Sequence, residues 1–135
     1  MTNPRESRTG AVEPRERPVV MVVDDEEPIR ALAAEMLGYL GLGVESVPSG
    51  EEAVARFRGG ARPDLVILDV IMPGMSGIET FRSIRELVPA QKVLIATGFA
   101  DRSVMDALAA EGASGFIQKP YHLEALAGRV RALLP

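Results

Sequence analysis

Five positions far apart in this sequence could act together chemically: the acids Asp24, Asp25 and Asp69, the hydroxyl of Thr97 and the amine of Lys119. Each follows a short apolar run: VVMVV before Asp24-Asp25, LVIL before Asp69, VLIA before Thr97 and GFIQ before Lys119-Pro120. Three carboxylates gathered without compensation repel and raise one another's pKa, a difficulty that a hard divalent cation removes. Oxygen-only donors, with no cysteine in the chain, favour Mg²⁺, which keeps several of its own waters. An anion with several oxygens could bridge the cation, the lysine and the hydroxyl, and a phosphoryl group carried on one carboxylate fits that description. Taken singly the pieces are weak. Four consecutive acids, Asp24 to Glu27, read as a solvated turn, a strand-terminal Asp as a cap and a Lys-Pro step as a loop.

The flanking pattern says whether the five can meet. VVMVV (19–23) is a β-branched run typical of a strand buried on both faces. Ile29, Leu32, Ala33, Met36, Leu37 and Leu40 then recur at three and four, predicting a helix that stops at Gly41. GVESV (43–47) is a short strand. Ser49 and Glu52 predict a capping box for a helix carrying Ala53, Val54 and Phe57, ended by Gly59-Gly60. DLVILDV (64–70) is a second buried strand, and Ser76 with Glu79 opens a helix with Ile78, Phe81 and Ile84 inward. KVLIAT (92–97) follows, then a helix capped by Asp101 with Val104, Met105 and Leu108 inside, then the strand GFIQ (115–118). Leu123, Leu126, Ala127, Val130 and Leu133 stripe the last helix. Five strands alternating with five helices predict an α/β fold, a doubly wound parallel sheet, because each crossover between parallel neighbours needs a helix. Groups that function in such sheets collect beyond the carboxyl ends of the strands, where all five positions fall.

Composition narrows the setting. The 135 residues suit one domain, with 47% apolar and 25% charged residues. A net charge of −4 disfavours direct nucleic-acid binding, and the lack of cysteine excludes disulfides and thiol nucleophiles. Neither a membrane span nor a signal peptide is visible, so a cytoplasmic location is expected. Residues 1–18, polar and rich in Pro and Arg, read as a flexible tail or linker of about 20–25 Å, and residues 19–135 as the folded domain.

The motifs VVDDEE, LVILDVIMPGMSG, LIATG and GFIQKP resemble those of the response-regulator receiver domains of bacterial two-component signalling, and the resemblance covers residues 19–134. The resemblance implies a five-stranded flavodoxin-like sheet of order 2-1-3-4-5 and Mg²⁺ as cofactor. It implies Asp69 as phosphoacceptor, Asp25 as a direct metal ligand, Asp24 as one acting largely through water, and the Ile71 carbonyl completing the set. It further implies Lys119 paired with a phosphoryl oxygen, a cis bond before Pro120, and a switch through Thr97 and Phe116. The phosphoryl donor would be a sensor histidine kinase or a histidine phosphotransfer protein. A downstream protein partner would meet the face of the fourth helix, fifth strand and fifth helix, including Met105, Asp106 and Phe116. The expected function is a phosphorelay receiver rather than an enzyme. The alternative is a receiver-fold interaction module that signals without phosphorylation.

Some positions depart from the common pattern. Phe116 lacks the hydroxyl of the frequent Tyr, and Gly98 stands where Ala is usual. Ile71 and Phe99, two residues after Asp69 and Thr97, are bulky and apolar, which predicts a long-lived phosphoryl state. His122, the sole histidine, reads as a cap or surface residue, the methionines of IMPGM as loop packing, and Glu26 and Glu27 as solvated acids. A phosphatase with an Asp nucleophile would need a second acid where Ile71 stands. A nucleotide-binding domain would need a glycine-rich phosphate loop, which is missing. A flavodoxin-like cofactor binder would need hydroxyls where this chain has acids after the first strand. With Pro135 directly after the last helix, the expectation is a stand-alone receiver or one cut from a hybrid kinase, with a lean to the latter.

Overall fold

A computed structural model describes residues 17–98 and 102–135. Its elements run β1 (Val19–Val23), α1 (Glu27–Tyr39), β2 (Gly43–Val47), α2 (Gly50–Arg58), β3 (Leu65–Asp69), α3 (Gly77–Leu87), β4 (Val93–Thr97), α4 (Arg102–Ala110), β5 (Gly115–Gln118) and α5 (Leu123–Leu133). All strand pairs are parallel, in the order β2-β1-β3-β4-β5. Both the expected alternation and the expected order are therefore found. Most of the expected tail, together with Phe99 and the expected cap Asp101, lies outside the described residues.

The period-two alternation of each strand divides the core into two layers. Met21, Val23, Val66, Leu68, Val93 and Ile95 face Phe57 of α2, Phe81 and Ile84 of α3 and Leu108 of α4. Val20, Val22, Leu65, Ile67, Leu94 and Ala96 face Ala33 and Leu37 of α1 and Leu126 and Val130 of α5. Because helices cover both faces, β3 and β4 are buried along their whole length, which explains their unbroken apolar runs.

Of the two predicted capping boxes, one forms in full and one in half. Ser76 and Glu79 exchange both bonds of a capping box. Ser49 accepts from the Glu52 amide at 3.1 Å, but the Glu52 carboxylate turns to Arg56, at 2.8 Å, in place of the reciprocal bond. An arginine four residues on competes with the Ser49 backbone amide for that carboxylate. His122 sits at the N-cap of α5, exposed, and its side chain makes no capping bond. Met72 packs into the core, as expected of the loop methionines.

Candidate functional site

Strand register builds the site. Val23 pairs with Leu68, so Asp24 emerges beside Asp69 at the carboxyl edge of the sheet. Asp69 pairs with Ala96 and Thr97 with Gln118, which brings Lys119 to the same edge. Backbone bonds extend the ladder past the strands: the amides of Asp24, Val70 and Lys119 donate to the carbonyls of Val47, Ala96 and Thr97 at 2.9–3.1 Å. Close approach of α3 is allowed by Gly77, where a Cβ would collide with the Asp69 carbonyl and the Val70 backbone.

Lys119 ties the acids together. Its Nζ donates to Asp24 Oδ2 at 2.9 Å, to Asp69 Oδ2 at 3.1 Å and to Glu26 Oε1 at 3.4 Å. The other oxygens of the two buried acids are also occupied: Asp24 Oδ1 accepts from the Glu26 amide and Asp69 Oδ1 from the Ile71 amide. Arg30 donates to the Asp24 carbonyl at 2.7 Å. The Lys119–Pro120 bond is cis.

Burial sets the electrostatics. It pushes the Asp69 carboxyl above its ordinary value, and the bonds from Ile71 and Lys119, which pull the other way, do not cancel it. Burial alone would lower the Lys119 ammonium, but its hydrogen bonds to Asp24 and Asp69 outweigh that and raise it, so the amine is a fixed positive charge. The buried Tyr121 phenol is raised by desolvation and by Asp24.

A cleft of about 570 Å³ opens over these groups, lined by Asp25, Glu26, Asp69, Ile71, Met72, Pro73, Gly98 and Lys119. Asp24, Asp25 and Asp69 each offer an oxygen within 4.8 Å of the other two. Ligand oxygens about 2.1 Å from a Mg²⁺ ion lie at most about 4.2 Å apart, so the three carboxylates are close to the spacing of a shared set. Oxygen donors alone, in an acidic cleft open to water, fit that ion.

Not every expected residue lies in this cleft. Thr97 lines a neighbouring cavity of about 250 Å³ with Met105, Phe116, Ile117, Gln118 and Arg129. Phe116 is half-buried there, against the core layer of α2, α3 and α4. Glu26, expected to be solvated, is a partner of Lys119, although its side chain remains 60% exposed. Tyr121 and Arg30 gave no sequence signal, because a phenol after Pro and a basic residue in the first turns of a helix are commonplace.

Residues 20–131 match the family model of the response regulator receiver domain. The chain belongs to that family. It is 38% identical over 117 residues to the transcriptional regulatory protein TrcR of Mycobacterium tuberculosis, covering 85% of this chain and 44% of that protein. It is 37% identical to the response regulator MprA of Mycolicibacterium vanbaalenii, covering 85% and 49%. The chain thus spans about half the length of these curated relatives. Among solved structures, the chemotaxis protein CheY4 of Vibrio cholerae superposes with a TM-score of 0.81 at 31% identity, covering 87% of this chain and 99% of that one. Receivers of response regulators are signalling domains that take phosphate from histidine kinases. No helix among the described residues is long and apolar enough to cross a membrane.

Proposed function

We propose that this receiver accepts a phosphoryl group on Asp69, with Mg²⁺ bound, from a sensor histidine kinase or histidine phosphotransfer protein in the cytoplasm. The observation that carries this reading is Lys119 Nζ bridging Asp24 and Asp69 at the floor of an open acidic cleft. An Asp69 oxygen forms a bond to phosphorus while the bond to the donor's imidazole nitrogen breaks, the electron pair leaving with the ring. Lys119 holds one phosphoryl oxygen by exchanging its Asp69 bond for it. Asp24, Asp25, Asp69 and the Ile71 carbonyl would hold the ion, which when bound offsets charge on the remaining oxygens.

Thr97 and Phe116 line the same cavity, so a Thr97 hydroxyl that turns to the phosphoryl group would vacate space beside Phe116. The exposed output would be the face of α4, β5 and α5, where a downstream protein partner would bind; nucleic acid would not be bound directly. Ile71, 66% exposed at the rim of the cleft, can exclude hydrolytic water but cannot orient it. Ile71→Asn should therefore shorten the phosphoryl lifetime by about tenfold, near 1.4 kcal/mol of barrier.

The deciding experiment is intact mass after incubation with Mg²⁺ and acetyl phosphate. One phosphoryl group is expected on wild type and none on Asp69→Asn. No added mass on wild type would favour the alternative, an interaction module that signals without phosphorylation. Labelling of Asp69→Asn would move the acceptor elsewhere.

A further inference from the structure

We infer that Glu51 is a positioning residue that ties the loop between β3 and α3 to α2, and thereby sets how tightly the Asp24, Asp25 and Asp69 site holds its cation. The inference rests on the Mg²⁺-dependent function proposed above. Glu51 Oε2 accepts a hydrogen bond from the Met75 amide at 3.0 Å, across 24 residues of chain. The loop turns at Gly74, whose φ of +73° suits glycine, and a Cβ there would lie 2.8 Å from that same oxygen. The carboxylate therefore fills the space that a side chain at position 74 would need. Alongside, Gly50 lets the start of α2 press against Thr80 and the Met75 carbonyl, because a Cβ at 50 would collide with the Thr80 hydroxyl.

The strapped loop is the one that borders the site. Ile71, Met72 and Pro73 of this loop line the cleft, and the Ile71 amide holds Asp69 Oδ1. At its far end the loop is held by the capping box of Ser76 and by the Gly77 amide on the Val70 carbonyl. Those anchors are internal to the β3–α3 connection. The Glu51 bond comes from α2 and fixes Met75, next to the Ser76 cap, against a separate element. Glu51 is exposed, so its carboxylate is not there to fill a core. An octahedral ion with short ligand distances is sensitive to small displacements of a ligand-bearing backbone, and outer partners of ligands commonly change affinity about tenfold or more.

Mg²⁺ titration by calorimetry on wild type, Glu51→Ala, Glu51→Gln and Glu52→Ala tests this, with amide exchange at Met75 measured without metal. Glu51→Ala is expected to weaken Mg²⁺ about tenfold and to speed Met75 exchange. Glu51→Gln, which keeps an acceptor oxygen, should bind within about twofold of wild type. Glu52→Ala loses only the Arg56 pair on the same helix, and its Mg²⁺ affinity should match wild type, which separates a loosened helix from a released loop. Wild-type affinity in Glu51→Ala would overturn the strap alone. So would equal weakening in Glu51→Gln and Glu51→Ala, because charge rather than the bond would then be responsible. A wild type that binds no Mg²⁺ would overturn both the strap and the function on which it rests.

Discussion

Lys119 reaches Asp24 and Asp69 at 2.9 and 3.1 Å, and Arg82 reaches the two oxygens of Glu111 at 2.9 and 2.6 Å. By distance alone the pair on the α3 surface is the tighter of the two. Exposure separates them: the side chains of Lys119, Asp24 and Asp69 are 12%, 1% and 6% exposed, those of Arg82 and Glu111 58% and 36%. On the surface, pairing raises Arg82 and lowers Glu111, so each favours its charged form. At the sheet edge, Asp69 is pushed towards its neutral form although a lysine touches it, because desolvation outweighs the contact. A buried group of acids held at such a cost marks a site kept for chemistry, whereas a well-formed surface pair marks little.

The largest effect expected from this contrast is on Lys119. Lys119→Ala leaves Asp24 and Asp69 buried without their cation and should cost about 3 kcal/mol of metal-free stability, at the low end for a broken buried pair because the cleft admits water. Urea unfolding with chelator present measures it, and a loss no larger than that of Arg82→Ala would break the contrast. Asp69→Asn should act in the opposite direction. A carboxyl raised in the fold is a net burden once pH exceeds its folded value, so the metal-free variant should be the more stable at pH 7.

Next comes the metal. At one hundred times its dissociation constant, Mg²⁺ should add about 2.7 kcal/mol, since folding gathers Asp24, Asp25 and Asp69. Asp25→Asn should remove most of that gain, and equal responses of the two proteins would place the ion elsewhere. Alkaline unfolding sharpens the same point. Lys119 and Tyr121 are both raised in the fold, so the unfolded chain releases their protons first. Their contribution is present below the ordinary values of 10.5 and 10.0 and is lost as pH climbs past them. Lys119→Met combined with Tyr121→Phe should flatten that fall. The smallest effect belongs to the surface. Arg82→Ala should barely shift the melting temperature, and salt should erase what shift there is.

Much of this molecule is legible in one dimension because its physics is local or periodic. VVMVV, LVIL and VLIA are short runs rich in β-branched residues that suit interior parallel strands, and helical stripes between them leave little choice of connection. Asp24, Asp69, Thr97 and Lys119 were visible as strand-end residues for the same reason, and Ser76 with Glu79 as a helix start. What the sequence could not show is contact across elements. The bond from the Met75 amide to Glu51, the reach of Lys119 to Glu26 and the burial of the Tyr121 phenol depend on how α2, the loops and α5 settle on the sheet. The cavity that Thr97 shares with Phe116 is likewise a packing outcome. Residue type and spacing determined which groups arrive at the sheet edge, because strand and helix periods are properties of the chain. Only the tertiary structure decided how deeply each is buried and what it touches, because desolvation and pairing depend on neighbours distant in sequence.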